Sequence, residues 1–418
     1  MGTPQPPRGF PRDLLEGDAA ERLGYFWTFT AAHRLQVEAD RAVMRALLRA
    51  RSTRTARAQT PLGTVVLLLG PTGVGKTTIY HTIARRLLAR DLPQLEADPG
   101  YVPWCYVAAP APDRNVFRWR ALYREALAIL NEPLAAQAGR PRMRAAGRPS
   151  LDPGAQRPSS PDDELRGAFE SALSHRRVEE FWIDEAGHIA KTAGGNALQN
   201  QLDLIKSLSD RTATTFVLMG AYDSMVFRAL GPQLARRCVE IHVPRYRRER
   251  PDDVREFKRV LRTFQKHLPL VQEPDFAPLW ELCYDGSVGC IGVLKEWLYR
   301  ALDAALAENK ETITAAILEQ EMFSPDRLVS MANAAINGEA EMDEAYGIAK
   351  RSELSRLLRA HVGRALDESS GSVDNAPDTN PTIRTETTVD IPPSQSGQQR
   401  QPGERTPTRD PAGESEVG

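Results

Sequence analysis

An α/β fold, with a parallel sheet covered by helices on both faces and an all-helical region after it, is what this 418-residue sequence predicts. Three observations carry that reading. Apolar runs that end near Gly70, Ala108, Asp184 and Gly220 alternate with stretches of helical periodicity, the order that builds βαβ units. The run Thr64-Val-Val-Leu-Leu-Leu-Gly70 is apolar without alternation, as expected of a central strand buried on both faces. Beyond Pro244 the strand signals stop and only helical periodicity continues.

Each element can be justified in turn. Residues 1–20 are rich in Pro and Gly and are expected to be flexible. Leu35, Ala39, Val43, Ala46 and Leu47 recur at helical spacing and predict an N-terminal helical segment over 21–59. Its arginines, Arg41, Arg45, Arg49, Arg51, Arg54 and Arg57, form either a solvated face or a stripe that meets phosphates. A strand at 64–70 leads to a helix at 77–90, and a strand at 102–108 to a helix at 116–130. Residues 133–162 break the pattern with Pro, Gly and Arg and read as a basic loop insertion. A helix at 163–175, a strand at 178–184, a helix at 196–210 and strands at 214–220 and 238–243 complete an α/β domain over 60–249. Helical patterns at 254–267, 276–283, 291–307, 314–321 and 326–336 make a second, helical domain over 250–365.

Charge separates the rest. Residues 366–418 hold almost no large apolar side chain, with ten acidic residues against four basic. Burial cannot offset their ordering entropy, so a disordered acidic tail is expected. The other residues carry a net +5, since the whole chain has 54 basic and 55 acidic side chains. That excludes a uniformly basic nucleic-acid coat but leaves room for a local patch. Apolar runs such as Val65–Leu69 are far short of a membrane span, and the first residues show no apolar signal core. Cys105, Cys238, Cys283 and Cys290 are scattered without a Cys-x-x-Cys pair. A disulfide framework or zinc site is therefore not expected, and a reducing cytoplasm is the natural compartment.

The chemistry concentrates at three places. Gly70-Pro71-Thr72-Gly73-Val74-Gly75-Lys76-Thr77, with Thr78 next, fits G-x-x-x-x-G-K-[ST] between a strand and a helix, the context of a P-loop. Such glycines let the backbone wrap a triphosphate while helix N-terminal amides point at it. Lys76 supplies charge to the β- and γ-phosphates of ATP, and Thr77 a hydroxyl to Mg2+. Ile183-Asp184-Glu185 closes a strand beside the same crevice. There Asp184 is placed to hold the metal through water and Glu185 to polarise an attacking water. Arg236 and Arg237 precede the last strand and are either surface charge or an arginine finger reaching a neighbouring subunit. Lys295, near the start of a helix in the second domain, is either helix surface or a nucleotide contact. Arg114 and Arg118 follow the second strand and are either solvated or phosphate-contacting. His188, a lone histidine after the acidic pair, reads as structural.

This order of motifs resembles the AAA+ ATPases, which implies a P-loop AAA+ domain followed by an all-helical lid. The stretch from Ile-Asp-Glu-Ala-Gly-His-Ile-Ala-Lys191 through Gln201-Leu-Asp-Leu-Ile-Lys-Ser-Leu, Met219-Gly-Ala-Tyr-Asp, Gln233-Leu-Ala-Arg-Arg and Ile241-His-Val-Pro-Arg-Tyr is similar to the TniB/TnsC group, ATP-binding target-selection subunits of bacterial transposons. The resemblance covers residues 20 to about 310, without the insertion at 133–162 and the tail. It implies that Lys76 and Thr77 contact phosphate and magnesium, that Asp184 and Glu185 are the hydrolytic pair, and that Arg236 or Arg237 acts in trans. It implies a homo-oligomer, ring or filament, on duplex DNA, docked to a transposase and a targeting adaptor. One position departs: family members commonly read Gly-Thr-Tyr where this chain has Gly220-Ala221-Tyr222, so the polar sensor at that strand end is in question, with Tyr222 or Asp223 as substitutes. A small-molecule P-loop kinase and a signalling or defence ATPase acting on a protein remain as alternatives. The Asp-Glu pair, suited to activating water, weighs against the kinase.

Overall fold

The structure is a computed structural model that describes residues 9–56, 63–113, 116–132, 161–191, 195–229, 238–356 and 358. The expected tail at 366–418, most of the insertion at 133–162, and Arg114, Arg236 and Arg237 lie outside these residues.

Five strands, β1 (Val65–Leu69), β2 (Trp104–Ala108), β3 (Glu180–Asp184), β4 (Thr215–Gly220) and β5 (Cys238–His242), form one sheet in the order β2-β3-β4-β1-β5. All pairings are parallel, with Leu69 opposite both Gly220 and His242, and Ala108 opposite Asp184. Parallel pairing requires crossovers. These are α3 (Lys76–Ala97) after β1, α4 (Trp119–Ile129) and α5 (Pro161–His175) between β2 and β3, and α6 (Gly187–Ala190) and α7 (Gly195–Thr212) between β3 and β4.

The unalternating apolar character of β1 has a direct cause. Val66 and Leu68 enter a core shared with Trp182, Ile79, Ile83 and the helical lid. Val65, Leu67 and Leu69 enter the opposite core with Phe169, Phe181, Ile205 and Phe216. Neither side of the strand meets water, so polar residues have no place in it.

Where a helical segment is expected over 21–59, two helices stand, α1 (Ala19–Thr28) and α2 (Arg34–Ala56). Phe29 leaves the helical conformation with φ −62° and ψ 134°. The break lets Phe26 and Phe29 pack edge-on against Phe264 in the lid. Part of the N-terminal stretch expected to be flexible is packed: the amide of Gly9 donates to Lys266 O at 3.0 Å and Phe10 is buried.

The lid comprises α8 (Pro251–His267), α9 (Trp280–Ser287), α10 (Ile291–Ala307), α11 (Ala315–Gln320) and α12 (Pro325–Tyr346). Trp297 anchors it, fully buried, with its indole Nε1 donating to Leu318 O at 2.9 Å. The last helix runs ten residues past its expected end at 336, and Gly338 lies within it, close against the Tyr222 ring. Among the described residues no helix is long and apolar enough to cross a membrane.

Candidate functional site

The strand order places the ends of β1, β3 and β4 side by side, and the loops leaving them build one cleft of about 430 Å³. It is lined by the P-loop from Thr72 to Thr78 except Val74, by Asp184, Glu185, Gly187, His188 and Lys191 after β3, by Gly220, Ala221 and Asp223 after β4, and by Gly292 and Glu296 of the lid. That volume suits a small-molecule ligand.

The P-loop conformation depends on Gly73 and Gly75, whose φ values of +79° and +96° are costly for any residue with a Cβ. Gly70 is buried, and Pro71 leads from it into the loop. Val74 is 5% exposed and anchors the loop in the core. Gly75 is the N-cap of α3, so the free amides of the first helical turn face the cleft mouth. Lys76 donates to Gly70 O at 2.9 Å and Pro71 O at 3.0 Å. Burial pushes its pKa down to about 8, against the opposing pull of Asp184. The lid meets the loop directly: Gly292 N donates to Gly73 O at 2.7 Å.

Thr77 Oγ1 donates to Asp184 Oδ2 at 3.1 Å, and the Tyr106 hydroxyl donates to the same oxygen at 2.8 Å. Asp184 Oδ1 accepts from the amide of Glu185 at 2.8 Å. The carboxylate is therefore fixed in place. Thr77 and Asp184 offer two hard oxygens, and no group of three His, Cys, Asp or Glu poised for a metal exists among the described residues. That donor set fits magnesium, which takes few protein ligands and completes its shell with water and phosphate.

Glu185 adopts φ +52°, a left-handed conformation unusual for a residue with a Cβ and a form of strain found at functional sites. Two tethers hold that turn. Ala186 N donates to Met219 O at 2.8 Å and His188 N to Glu185 O at 2.9 Å. The imidazole Nδ1 of His188 bonds Ala109 O at 2.9 Å and lies 3.6 Å from Glu185 Oε2. His188 thus stands at the cleft wall, tied to the loop after β2.

After β4, Ala221 lines the cleft without a polar side-chain atom. Of the two substitutes considered, Tyr222 is turned away, with its hydroxyl on His242 Nε2 at 2.8 Å. Asp223 stays in the cleft. Lys295 does not line it: its ammonium donates to Trp27 O at 2.6 Å and sits over the Trp27 ring. Its helix reaches the cleft through Gly292 and Glu296 instead. Arg118 is exposed and ion-paired with Asp113.

Sequence reasoning missed several residues. Tyr106 gave only the weak signal of an aromatic in a short strand. Arg245 and Arg247, after β5, are buried against Glu339 of α12 at 3.2 and 3.3 Å, and Arg247 also pairs with Asp343 at 2.8 Å. Their partners lie over 90 positions away, and nothing local signals the pairing.

Residues 62–249 match the family model described as an AAA domain. No curated protein matches the sequence. Among solved structures the chain is similar to the Aeropyrum pernix ORC1 protein in complex with DNA, at 19% identity over 74% of this chain and 68% of that one, with a TM-score of 0.44. It is similar to Drosophila ORC bound to DNA, at 12% identity over 77% and 69%, with a TM-score of 0.43. It is also similar to the Thermotoga maritima RuvB Holliday junction branch migration motor, at 17% identity over 67% of each chain, with a TM-score of 0.33. At such identities and scores nothing about partners passes from those proteins to this chain. The family match, the parallel sheet and the P-loop beside an Asp-Glu strand end agree with one another: residues 62–249 are an AAA+ P-loop ATPase domain.

Proposed function

We propose that the protein is an ATP-dependent, sequence-nonspecific DNA-binding AAA+ regulator of DNA transposition. In this reading it works in the cytoplasm and assembles with copies of itself on target duplex DNA. There it recruits or activates a transposase together with a targeting adaptor, and ATP hydrolysis drives disassembly.

The chemistry follows from the cleft. The amides of the P-loop and the first turn of α3 bind the phosphates, with Lys76 on the β- and γ-oxygens. Thr77 and Asp184 would hold magnesium, which when bound neutralises phosphate charge. Glu185 accepts a proton from water as the water oxygen bonds to the γ-phosphorus. The bond from that phosphorus to the β–γ bridging oxygen breaks, and its electron pair leaves with ADP. Arg236 or Arg237 of a neighbouring subunit steadies the charge that develops.

The observation that best supports a DNA partner is on α2. Arg41, Arg45 and Arg49 are exposed and make no ion pair among the described residues. Arg51 and Arg54 of the same helix are engaged at Glu179: Arg51 by an ion pair at 3.3 Å, Arg54 by its backbone oxygen at 3.1 Å. The three free guanidiniums recur every four residues, roughly 6 Å apart along one face. Such a row meets phosphates without reading bases. The test is retention of unrelated duplexes by the full chain with an ATP analogue, with ADP and without nucleotide. Retention that needs the triphosphate and no added small substrate is expected. Negligible retention in all three states at low salt would favour an ATPase acting on a protein, and phosphate transfer to an added small acceptor would favour a kinase.

A further inference from the structure

The cleft carries a cation that the P-loop pattern does not account for. Lys191 follows α6, the short helix that begins just after the Asp184-Glu185 pair, and lines the same cleft as Thr77, Asp184 and Glu185. Its Nζ stands 3.5 Å from Asp223 Oδ2. Asp223 is closely seated. A Cβ at Gly187 would come within 2.5 Å of both its carboxylate oxygens, so the carboxylate rests on the bare Cα of Gly187. Ser224 Oγ donates to Asp223 Oδ1 at 3.3 Å. The backbone of Lys191 is tied as well, its amide donating to Gly187 O at 3.1 Å.

The charge balance gives this lysine a task. Asp184, Glu185, Asp223 and Glu296 bring four carboxylates to the cleft. Lys76 and Lys191 are the only lysines or arginines among the described residues lining it, and Lys76 is held on the P-loop carbonyls. Ala221 offers no polar atom, and Tyr222 is committed to His242. Asp223, the polar side chain that stays in the cleft after β4, is a carboxylate and repels a terminal phosphate, and Lys191 beside it is the group placed to supply the contact.

We propose that Lys191 is a γ-phosphate-contacting residue that leaves Asp223 for a terminal oxygen of bound nucleoside triphosphate and returns to Asp223 when diphosphate remains. This rests on the reading of the cleft as a site of ATP hydrolysis. The exchange is easy for three reasons. Lys191 is 54% and Asp223 43% exposed, and an ion pair so placed is weak. A γ-phosphate carries more negative charge than a carboxylate. The lysine stem is long and flexible. The hydrolytic step is the one given above, with Lys191 stabilising charge on the γ-oxygens as the bridging bond breaks.

The test uses the full chain with magnesium, and compares binding of ADP with binding of a β,γ-imido ATP analogue. Lys191→Ala is expected to lose about tenfold of the preference for triphosphate, with ADP affinity unchanged, and to lower kcat by roughly a hundredfold. Lys191→Arg should restore most of the preference. Asp223→Asn, which frees the lysine, should keep it. An unchanged preference in Lys191→Ala overturns the proposal, and so does a loss in Asp223→Asn equal to that in Lys191→Ala, which would make the pair a brace. Lys76→Ala separates the two levels: if it binds both nucleotides as wild type does, the cleft reading fails, not the role of Lys191 alone.

Discussion

The hydroxyl of Tyr222 and Nε2 of His242 share a hydrogen bond of 2.8 Å, which joins the end of β4 to the end of β5. Burial, then the neighbouring Arg247, push the His242 pKa down to about 4, so the ring is neutral at pH 7. The other side of the Tyr222 ring is closed by α12, where a Cβ on Gly338 would come within 2.1 Å of the ring carbons. Gly338→Ala must therefore displace either the helix or the tyrosine. An overpacking cost of about 1–3 kcal/mol is expected, read as a lower midpoint in chemical denaturation. A midpoint equal to wild type would mean that α12 is not held against the β4 end.

Glu185 is placed to take the proton from attacking water, whereas Lys76 is placed to hold the phosphates. Glu185→Gln should still bind ATP while turnover falls by about two to four orders of magnitude. Lys76→Ala should lose binding itself. Equilibrium binding of a fluorescent ATP analogue, followed by single-turnover hydrolysis, separates the two. Wild-type turnover in Glu185→Gln would remove the role assigned to it.

The two sides of this cleft differ in how far the sequence shows them. Gly73, Gly75, Lys76 and Thr77 stand in one short run, and the run itself implies a strand before and a helix after. Asp184 is legible because it closes an apolar strand. Tyr106 is not, since its contact with Asp184 joins two strands far apart in sequence, and only the register of β2 against β3 brings them together. The placement of Lys295 shows the opposite failure. Its position near a helix start leaves helix surface or a nucleotide contact open, and neither reading foresees that the break at Phe29, unmarked by Gly or Pro, brings Trp27 within reach of its ammonium. Helix ends set by tertiary packing of aromatics leave little local trace.

The lower end of the sheet predicts a pH dependence. Glu180, 1% exposed at the start of β3, has its pKa pushed up to about 7 by burial and then by Glu179, against the pull of Arg90 and Arg54. An unfolded glutamate titrates near 4.5. Between these values the folded chain holds a proton that the unfolded chain has released. Glu180 therefore lowers stability as pH rises through that window, and the loss is complete above about pH 7. Glu180→Gln should flatten this part of the stability curve and melt higher than wild type at pH 8. Urea titrations at pH 5, 6, 7 and 8 on both proteins check it. Parallel curves would place the ionisation elsewhere.

The proposed trans role of Arg236 or Arg237 makes a mixing prediction. Protein with Arg237→Ala keeps its P-loop, and protein with Lys76→Ala keeps both arginines. A mixture should recover part of the ATPase activity if the arginine crosses between subunits, and the same holds with Arg236→Ala. Activity equal to the sum of the separate variants, for both arginines, would rule out a finger at either position.

DNA binding is the prediction on which the transposition reading stands or falls, and α2 makes it specific. Arg41, Arg45 and Arg49 have no carboxylate to lose among the described residues, so turning them to phosphates costs little. Arg118, paired with Asp113, must first give up that partner. Arg41→Glu with Arg45→Glu and Arg49→Glu should weaken binding to all sequences alike, and more than Arg118→Glu does. Each phosphate contact removed lowers the slope of log affinity against log salt by about 0.9. The triple variant should therefore reduce that slope by roughly 3 if all three contacts form. Binding should also need ATP, because one subunit offers few contacts and assembly adds each further subunit at high effective concentration. Fluorescence anisotropy on two unrelated duplexes across a salt series, with ATP analogue and with ADP, measures all of this. A triple variant with the wild-type slope would move the DNA contact off α2, and a strong preference for one duplex would contradict contact through phosphates alone.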